Sequence, residues 1–302
     1  MTDPEGSTDT GRRGRLVLVG TPIGNLGDLT PRAVKILASA DLVCCEDTRR
    51  TGRLLQHAGI RATGLRVVND HTEESAVADV VERLTRGEVV AVVSDAGMPG
   101  ISDPGERLVA AAVEADVMVE VVPGPSAAIT GLVASGLPAG RFVFEGFLPR
   151  KGSGRTERLA EVAGERRTVV LYEAPHRVAR TLADLAEACG GARRVVLARE
   201  LTKLHEETWR GSLDAAVARV AEIEPRGEYV LVLDGAPAPA EVTDDDIVAA
   251  ITSARAGGAT TRDAVAQVVD SLGVPKRKAY ELANESARIA PSAAATSDAP
   301  QA

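Results

Sequence analysis

Apolar residues along this chain fall in two kinds of pattern. Short unbroken runs alternate with longer segments in which they recur at helical spacing. Residues 16–19 form an apolar run closed by Gly20, the mark of a buried strand. Thr30 and Pro31 then supply a side-chain cap and a proline at the first helical position, which predicts a helix to about residue 40. A second strand is predicted over 42–45. Thr72 caps another helix, with Glu73 and Glu74 complementing its dipole. Val77, Val80, Val81 and Leu84 share a face of that helix, and Gly87 ends it. Residues 89–93 are β-branched except Ala91, which predicts a central strand. A glycine- and proline-rich loop, a helix to about residue 115 and a strand at 118–122 follow.

Pro123-Gly124-Pro125 interrupts the pattern, which then resumes. Strands are predicted near 142–145, 168–172, 195–198 and 229–234, and helices near 155–162, 178–188 and 213–221. Strand–helix alternation predicts an α/β fold of two domains, 15–123 and 124–236, with mostly parallel, helix-covered sheets. A Pro/Ala linker, 237–242, leads to a small helix-turn-helix-like module, 243–290, with helices opening at Thr243, Thr261 and Pro275. Polar residues 1–14 and the Ala/Ser/Pro-rich stretch 291–302 are expected to be disordered tails.

Composition narrows the class. Aromatics make up 2% of residues, so Val, Leu, Ile and Ala must build the core. No apolar run reaches about 18 residues and no secretory leader opens the chain, so a soluble cytoplasmic protein without a membrane partner is expected. Cys44, Cys45 and Cys189 have no zinc-site spacing, so no metal is expected. The net charge of −8 argues against a general nucleic-acid binder. Three local basic clusters could still meet phosphates: Arg49, Arg50 and Arg53; Arg150, Lys151, Arg155 and Arg158 around the loop 151–154; and Lys276, Arg277 and Lys278. Each is equally readable as a solvated face.

Three segments carry candidate chemistry. Gly20-Thr21-Pro22-Ile23-Gly24-Asn25-Leu26-Gly27-Asp28 follows the first strand, where α/β proteins place ligands, but it matches neither a dinucleotide fingerprint nor a P-loop. Residues 94–105, beyond the strand at 89–93, hold three glycines, two prolines and two aspartates; Asp95 sits where it could accept hydrogen bonds from a ligand. Pro123-Gly124-Pro125-Ser126-Ala127-Ala128 places Ser126 before a helix start, as a cap or as part of a carboxylate site.

Residues 19–28, 93–105 and 122–129 resemble the motifs of the tetrapyrrole-methylase superfamily. Glu46-Asp47-Thr48-Arg49, residues 51–60, Phe147-Leu148-Pro149, Tyr172-Glu173-Ala174-Pro175-His176-Arg177 and Arg199-Glu200-Leu201-Thr202-Lys203 are similar, more narrowly, to the ribosomal RNA small subunit methyltransferase I family. The resemblance implies two α/β domains with S-adenosylmethionine in the cleft between them, a homodimer, and small-subunit ribosomal RNA in the assembled 30S subunit as substrate, methylated on a cytidine ribose 2′-hydroxyl of the decoding centre. By motif position it implies a cofactor site of Pro22, Gly24, Asp95, Met98, Gly100, Ser126, Ala127, Leu171, Tyr172 and Ala198. Glu46, Asp47, Glu200 and Lys203 are the candidates for proton transfer and oxyanion stabilisation. Glu46 with Arg49, and Glu200 with Lys203, are equally readable as structural ion pairs. His176 is open between a base, an RNA contact and a structural loop residue. The alternative activity is methylation of a tetrapyrrole-type small molecule.

Overall fold

The computed structural model describes residues 13–289 apart from 62, 70 and 239–241. The tails expected at 1–14 and 291–302 therefore lie outside the described residues, save Arg13 and Gly14. The chain divides into two compact units at Pro237/Ala238.

The first unit holds two five-stranded sheets. The first sheet contains β1 (Arg15–Val19), β2 (Leu42–Cys45), β3 (Leu65–Val67), β4 (Val89–Val92) and β5 (Met118–Val122) in the order β3-β2-β4-β1-β5, with every pairing parallel. The intervening helices are α1 (Pro31–Ser39), α2 (Thr48–His57), α3 (Glu73–Thr85) and α4 (Glu106–Glu114). Both faces of this sheet are covered, which is why its central strands are unbroken apolar runs. Val17, Val43 and Ala91 face Ala33, Ile36, Leu37 and Leu55 of α1 and α2. Their neighbours Leu16, Leu18, Leu42, Val90 and Val92 face Ala76, Val80, Leu84, Leu108 and Ala112 of α3 and α4. Cys44 and Cys45 fall on opposite faces, both buried, and burial pushes the Cys44 thiol up to about 12.

The second sheet contains β6 (Phe142–Phe147), β7 (Thr168–Glu173), β8 (Arg194–Arg199), β9 (Glu207–Ser212) and β10 (Tyr229–Leu233) in the order β6-β7-β10-β8-β9. The expectation of mostly parallel pairing fails here. Only β6–β7 is parallel; β10 runs antiparallel to β7 and β8, and β8 to β9. The last strand inserts between β7 and β8 instead of extending the sheet, a choice local periodicity does not encode. Strand β9 went unpredicted because Glu-Thr-Trp-Arg-Gly-Ser shows no apolar alternation.

Helices α6 (Ser153–Gly164), α7 (Pro175–Cys189) and α8 (Leu213–Glu222) cover one face of this sheet. Helix α5 (Ala127–Ser135) covers the other: its Ala128 and Leu132 pack on Val170, Val196, Val230 and Val232. Helix α5 follows β5 of the first sheet yet packs on the second, so a single connection locks both halves together.

The second unit packs α9 (Asp244–Ala256), α10 (Thr261–Leu272) and α11 (Lys276–Ile289) around Ile247, Ile251, Val265, Val268, Ala279 and Ala283. Thr243 and Asp246 form a capping box at the start of α9. Among the described residues no helix is long and apolar enough to cross a membrane.

Candidate functional site

The loops beyond β1, β4 and β5 are stitched together by their backbones. Thr21 and Gly97 exchange main-chain hydrogen bonds, Thr21 N donating to Gly97 O at 2.9 Å and Gly97 N to Thr21 O at 3.2 Å. The Thr21 hydroxyl also accepts from Gly97 N at 3.1 Å. Gly20 and Gly124 meet backbone to backbone: a Cβ on Gly20 would stand 2.6 Å from the Gly124 Cα and 2.8 Å from the Met98 sulfur. Both positions therefore require glycine.

The far end of the β4 loop is anchored by Glu73. Its Oε1 accepts from the amides of Gly105, Arg107 and Leu108 at 2.9, 3.0 and 3.3 Å. The carboxylate thus caps α4 from outside that helix, satisfying donors that helix starts leave open. Glu73 thus does more than complement the dipole of its own helix, and Thr72, expected to cap α3, makes no side-chain cap bond.

These loops and the ends of the second sheet enclose a cavity of about 410 Å³. Ile23, Asp95, Met98, Ser126 and Ala127 line it from the first half, and Tyr172, Ala198, Glu200, Lys203 and Val230 from the second. Tyr172 joins the two: its phenol oxygen accepts from Ala128 N, at the start of α5, at 3.1 Å. Burial pushes this phenol above its ordinary value, and the Ala128 bond partly opposes that. Phe144 and Phe147 pack on the Tyr172 ring with centroids 5.0 and 5.6 Å away.

Asp95 is the electrostatic centre of the cavity. Its amide donates to Glu46 Oε1 at 2.9 Å and its Oδ2 faces Arg50 at 3.4 Å, but its Oδ1 is buried with no hydrogen-bond partner among the described residues. Burial raises the Asp95 carboxyl above the usual carboxylate range, with Arg50 opposing. A buried polar atom without a partner is costly unless a ligand satisfies it.

On the opposite wall Lys203 Nζ donates to Glu200 Oε1 at 2.8 Å and Glu228 Oε2 at 2.9 Å. Burial acts to raise the Glu200 carboxyl and to lower the Lys203 ammonium; the bonds between them reverse both, leaving Glu200 lowered and Lys203 raised. The pair is held ionised. The turn carrying it is strained, with φ of 51° at Glu200 and 64° at Thr202. Such strain gathers at ligand sites.

A second hollow of about 340 Å³ adjoins the first beside α2. The two share Ile23, Arg50, Asp95, Ala96, Lys203 and Glu228. Gly24 lies in this wall; a Cβ there would come within 2.4 Å of the Lys203 Cγ.

Six of the ten residues assigned to the cofactor line the first cavity: Asp95, Met98, Ser126, Ala127, Tyr172 and Ala198. Pro22 and Gly24 line the second. Gly100 lines neither; its amide closes the β4 loop onto Pro104 O at 3.1 Å. The Leu171 side chain does not face the cavity: strand alternation turns it into the core under α7, fully buried on the face opposite α5, which leaves only its main chain for a ligand.

Of the four residues offered for catalysis, only Glu200 and Lys203 border the first cavity. Asp47 is the N-cap of α2, accepting from Arg49 N at 2.7 Å, and the Arg49 guanidinium holds its carboxyl at about 2. Arg49 pairs with Asp47, and Glu46 borders neither cavity.

Among the basic residues, Arg50 and Arg53 reach the second hollow. Arg155 is corrected. It is 4% exposed, with its guanidinium on Asp184 at 2.7 Å, Pro149 O at 2.8 Å and Thr181 Oγ1 at 3.0 Å, so it is structural. Arg150 and Lys151 stay exposed, and Arg158 pairs with Glu145 and Glu161. In the second unit Lys276 is exposed, Arg277 pairs with Glu281 and Lys278 with Asp244. His176 borders the first cavity.

Comparison with known proteins agrees with this geometry. Residues 15–217 match the family model of Tetrapyrrole (Corrin/Porphyrin) Methylases. A protein of Synechocystis sp., named ribosomal RNA small subunit methyltransferase I, is 45% identical over 274 residues, 90% of this chain and 98% of that relative. A Mycobacterium tuberculosis protein of the same name is 46% identical over 278 residues, 91% of this chain and 96% of its own. The chain belongs to the ribosomal RNA small subunit methyltransferase I family, within the tetrapyrrole methylases.

The fold recurs in the uroporphyrin-III C-methyltransferase of Thermus thermophilus solved with S-adenosyl homocysteine, at 22% identity and a TM-score of 0.52, covering 73% of this chain and 97% of that one. Membership of this methyltransferase family explains why the loop motifs at 20–28, 94–105 and 123–128 converge on one cavity although they are far apart in sequence.

Proposed function

We propose that this chain transfers a methyl group from S-adenosylmethionine to a ribose 2′-hydroxyl of small-subunit ribosomal RNA, at cytidine 1402 of the decoding centre, acting on the assembled 30S subunit as a homodimer. The observation that carries the reading is the buried, unpartnered Oδ1 of Asp95 in a cavity built by family motifs from both halves.

The residues fit the methyl donor. Asp95 offers a carboxylate oxygen for a polar group of the ligand, and Met98, Ala127, Tyr172, Ala198 and Val230 offer apolar surface for a flat ring. The donor supplies a methyl already activated on a sulfonium, so the chain's task is alignment and exclusion of water. Lys203, held cationic by Glu200 and Glu228, is the group available to stabilise oxygen charge developing on the ribose.

Exposed Arg53, Arg150, Lys151 and Lys276 supply phosphate contacts on a chain of net negative charge, so RNA binding should depend steeply on salt. Met118 and Val121 of β5 and Ile129 and Val133 of α5 are exposed apolar side chains, between 47% and 71% accessible, and support a contact with a second copy. The tetrapyrrole-type alternative rests on fold neighbours of low identity, whereas relatives at 45–46% identity carry the ribosomal RNA name.

The deciding experiment incubates the purified chain with 30S subunits lacking this modification and isotopically labelled S-adenosylmethionine, then maps the RNA by mass. The expected result is one methyl on the ribose of that cytidine. Label on a purified tetrapyrrole with none on ribosomal particles would overturn the proposal.

A further inference from the structure

We infer that the 340 Å³ hollow beside α2 is the subsite for the target nucleotide, with Arg50 and Arg53 toward its phosphate and Ser94 toward its sugar hydroxyls. This rests on the methyl-transfer reading above and adds where the acceptor sits.

Three independent features of the hollow point there. The first is adjacency. It shares a wall with the larger cavity, and Asp95 with its unpartnered oxygen stands in that wall. Transfer between two ligands needs reacting atoms within roughly 3–3.5 Å, which adjoining pockets permit and separate ones do not.

The second is unmet hydrogen bonding. Ser94 is 3% exposed and lines only the smaller hollow, and its hydroxyl oxygen is buried with no hydrogen-bond partner among the described residues. A buried hydroxyl left without a partner in the wall of a hollow matches a ligand that itself carries hydroxyls, as a ribose does.

The third is charge. Lys203 already spends donors on Glu200 and Glu228, so the phosphate needs other cations. Arg50 faces Asp95 at 3.4 Å while remaining 59% exposed, and Arg53 is exposed with no ion pair among the described residues. Two guanidinium groups one helical turn apart on α2 thus retain donors for a phosphate diester. Pro22, Ile23, Leu26 and Leu54 give the same hollow an apolar side that a base could cover. A hollow with both kinds of surface fits a nucleotide better than a free anion.

The test fills the hollow without touching the larger cavity. Leu54→Trp and, separately, Leu26→Trp introduce bulk at residues that line only the smaller one. Affinity for S-adenosyl homocysteine is measured by calorimetry, and methylation by turnover on 30S subunits. The expected result is unchanged affinity in both variants, with kcat/KM on 30S lowered about a hundredfold, the scale of a misplaced acceptor. Arg53→Ala should lower the log–log salt dependence of 30S binding by about 1, the value of one phosphate contact.

Wild-type turnover in both tryptophan variants would overturn the subsite while leaving the methyltransferase reading intact. Loss of S-adenosyl homocysteine affinity in both would instead assign the hollow to the cofactor and overturn it equally. Failure of the wild-type chain to methylate 30S in the same assay would remove the reading on which the inference stands.

Discussion

Glu73 offers the sharpest test of how the loop 94–105 is held. Its side chain is 6% exposed and one of its oxygens receives three backbone amides, those of Gly105, Arg107 and Leu108. Hydrogen bonds to charged groups contribute about 1.5–3 kcal/mol each, but three sharing one oxygen are not additive. Glu73→Ala removes them together and leaves donors in the first turn of α4 unsatisfied, two of them on the buried residues Gly105 and Leu108. The expected cost is about 3–5 kcal/mol, a large fraction of the ~5–15 kcal/mol that keeps a domain folded. Glu73→Gln retains an acceptor oxygen without the charge, and charge-assisted bonds are about twice as strong as neutral ones, so it should cost about half as much.

Urea unfolding gives the stability and calorimetry with S-adenosyl homocysteine gives the affinity. A merely structural Glu73 would lower stability and leave affinity in the folded fraction unchanged. A Glu73 that positions the loop 94–105 would weaken affinity in the order alanine, then glutamine, then wild type. An alanine variant within about 1 kcal/mol of wild type would refute the argument, because one ordinary hydrogen bond is worth that much.

Three other substitutions have expected outcomes of their own. Burial raises the Asp95 carboxyl, so the folded state holds its proton more tightly than the unfolded chain, and stability is lost as pH rises through the raised value. Asp95→Asn should therefore melt above wild type at neutral pH, lose that advantage below the ordinary carboxylate range, and bind S-adenosyl homocysteine more weakly; equal melting midpoints at neutral pH would refute this. Arg155→Ala removes a buried guanidinium from Asp184, Pro149 O and Thr181 and should cost about 1–3 kcal/mol in urea unfolding while leaving the salt dependence of RNA binding unchanged. Arg150→Ala should do the reverse, lowering that dependence by about 1 with stability intact.

Much of this protein was set by its sequence because the relevant forces act over a few residues. The apolar runs at 16–19, 42–45 and 89–92 became strands because a parallel sheet covered on both faces demands unbroken apolar stretches. Thr30, Thr243 and Thr260 cap helices through their own side chains, a contact complete within three residues. The motifs at 20–28, 94–105 and 123–128 were visible as glycine-rich turns after strands for the same local reason.

Tertiary structure alone decided the rest. The insertion of β10 between β7 and β8 depends on pairing across more than 30 residues, and no periodicity specifies its direction. Leu171 and Tyr172 are neighbours in sequence, yet only the packing of α5 determines which of the two faces the cavity. Charges follow the same logic. Arg155 lies in a stretch that reads as a basic surface and is drawn inward by Asp184, while Glu73 reaches across to a helix 33 residues away. A charged side chain's role is fixed by the distant partner that meets it, because only that partner offsets its loss of water.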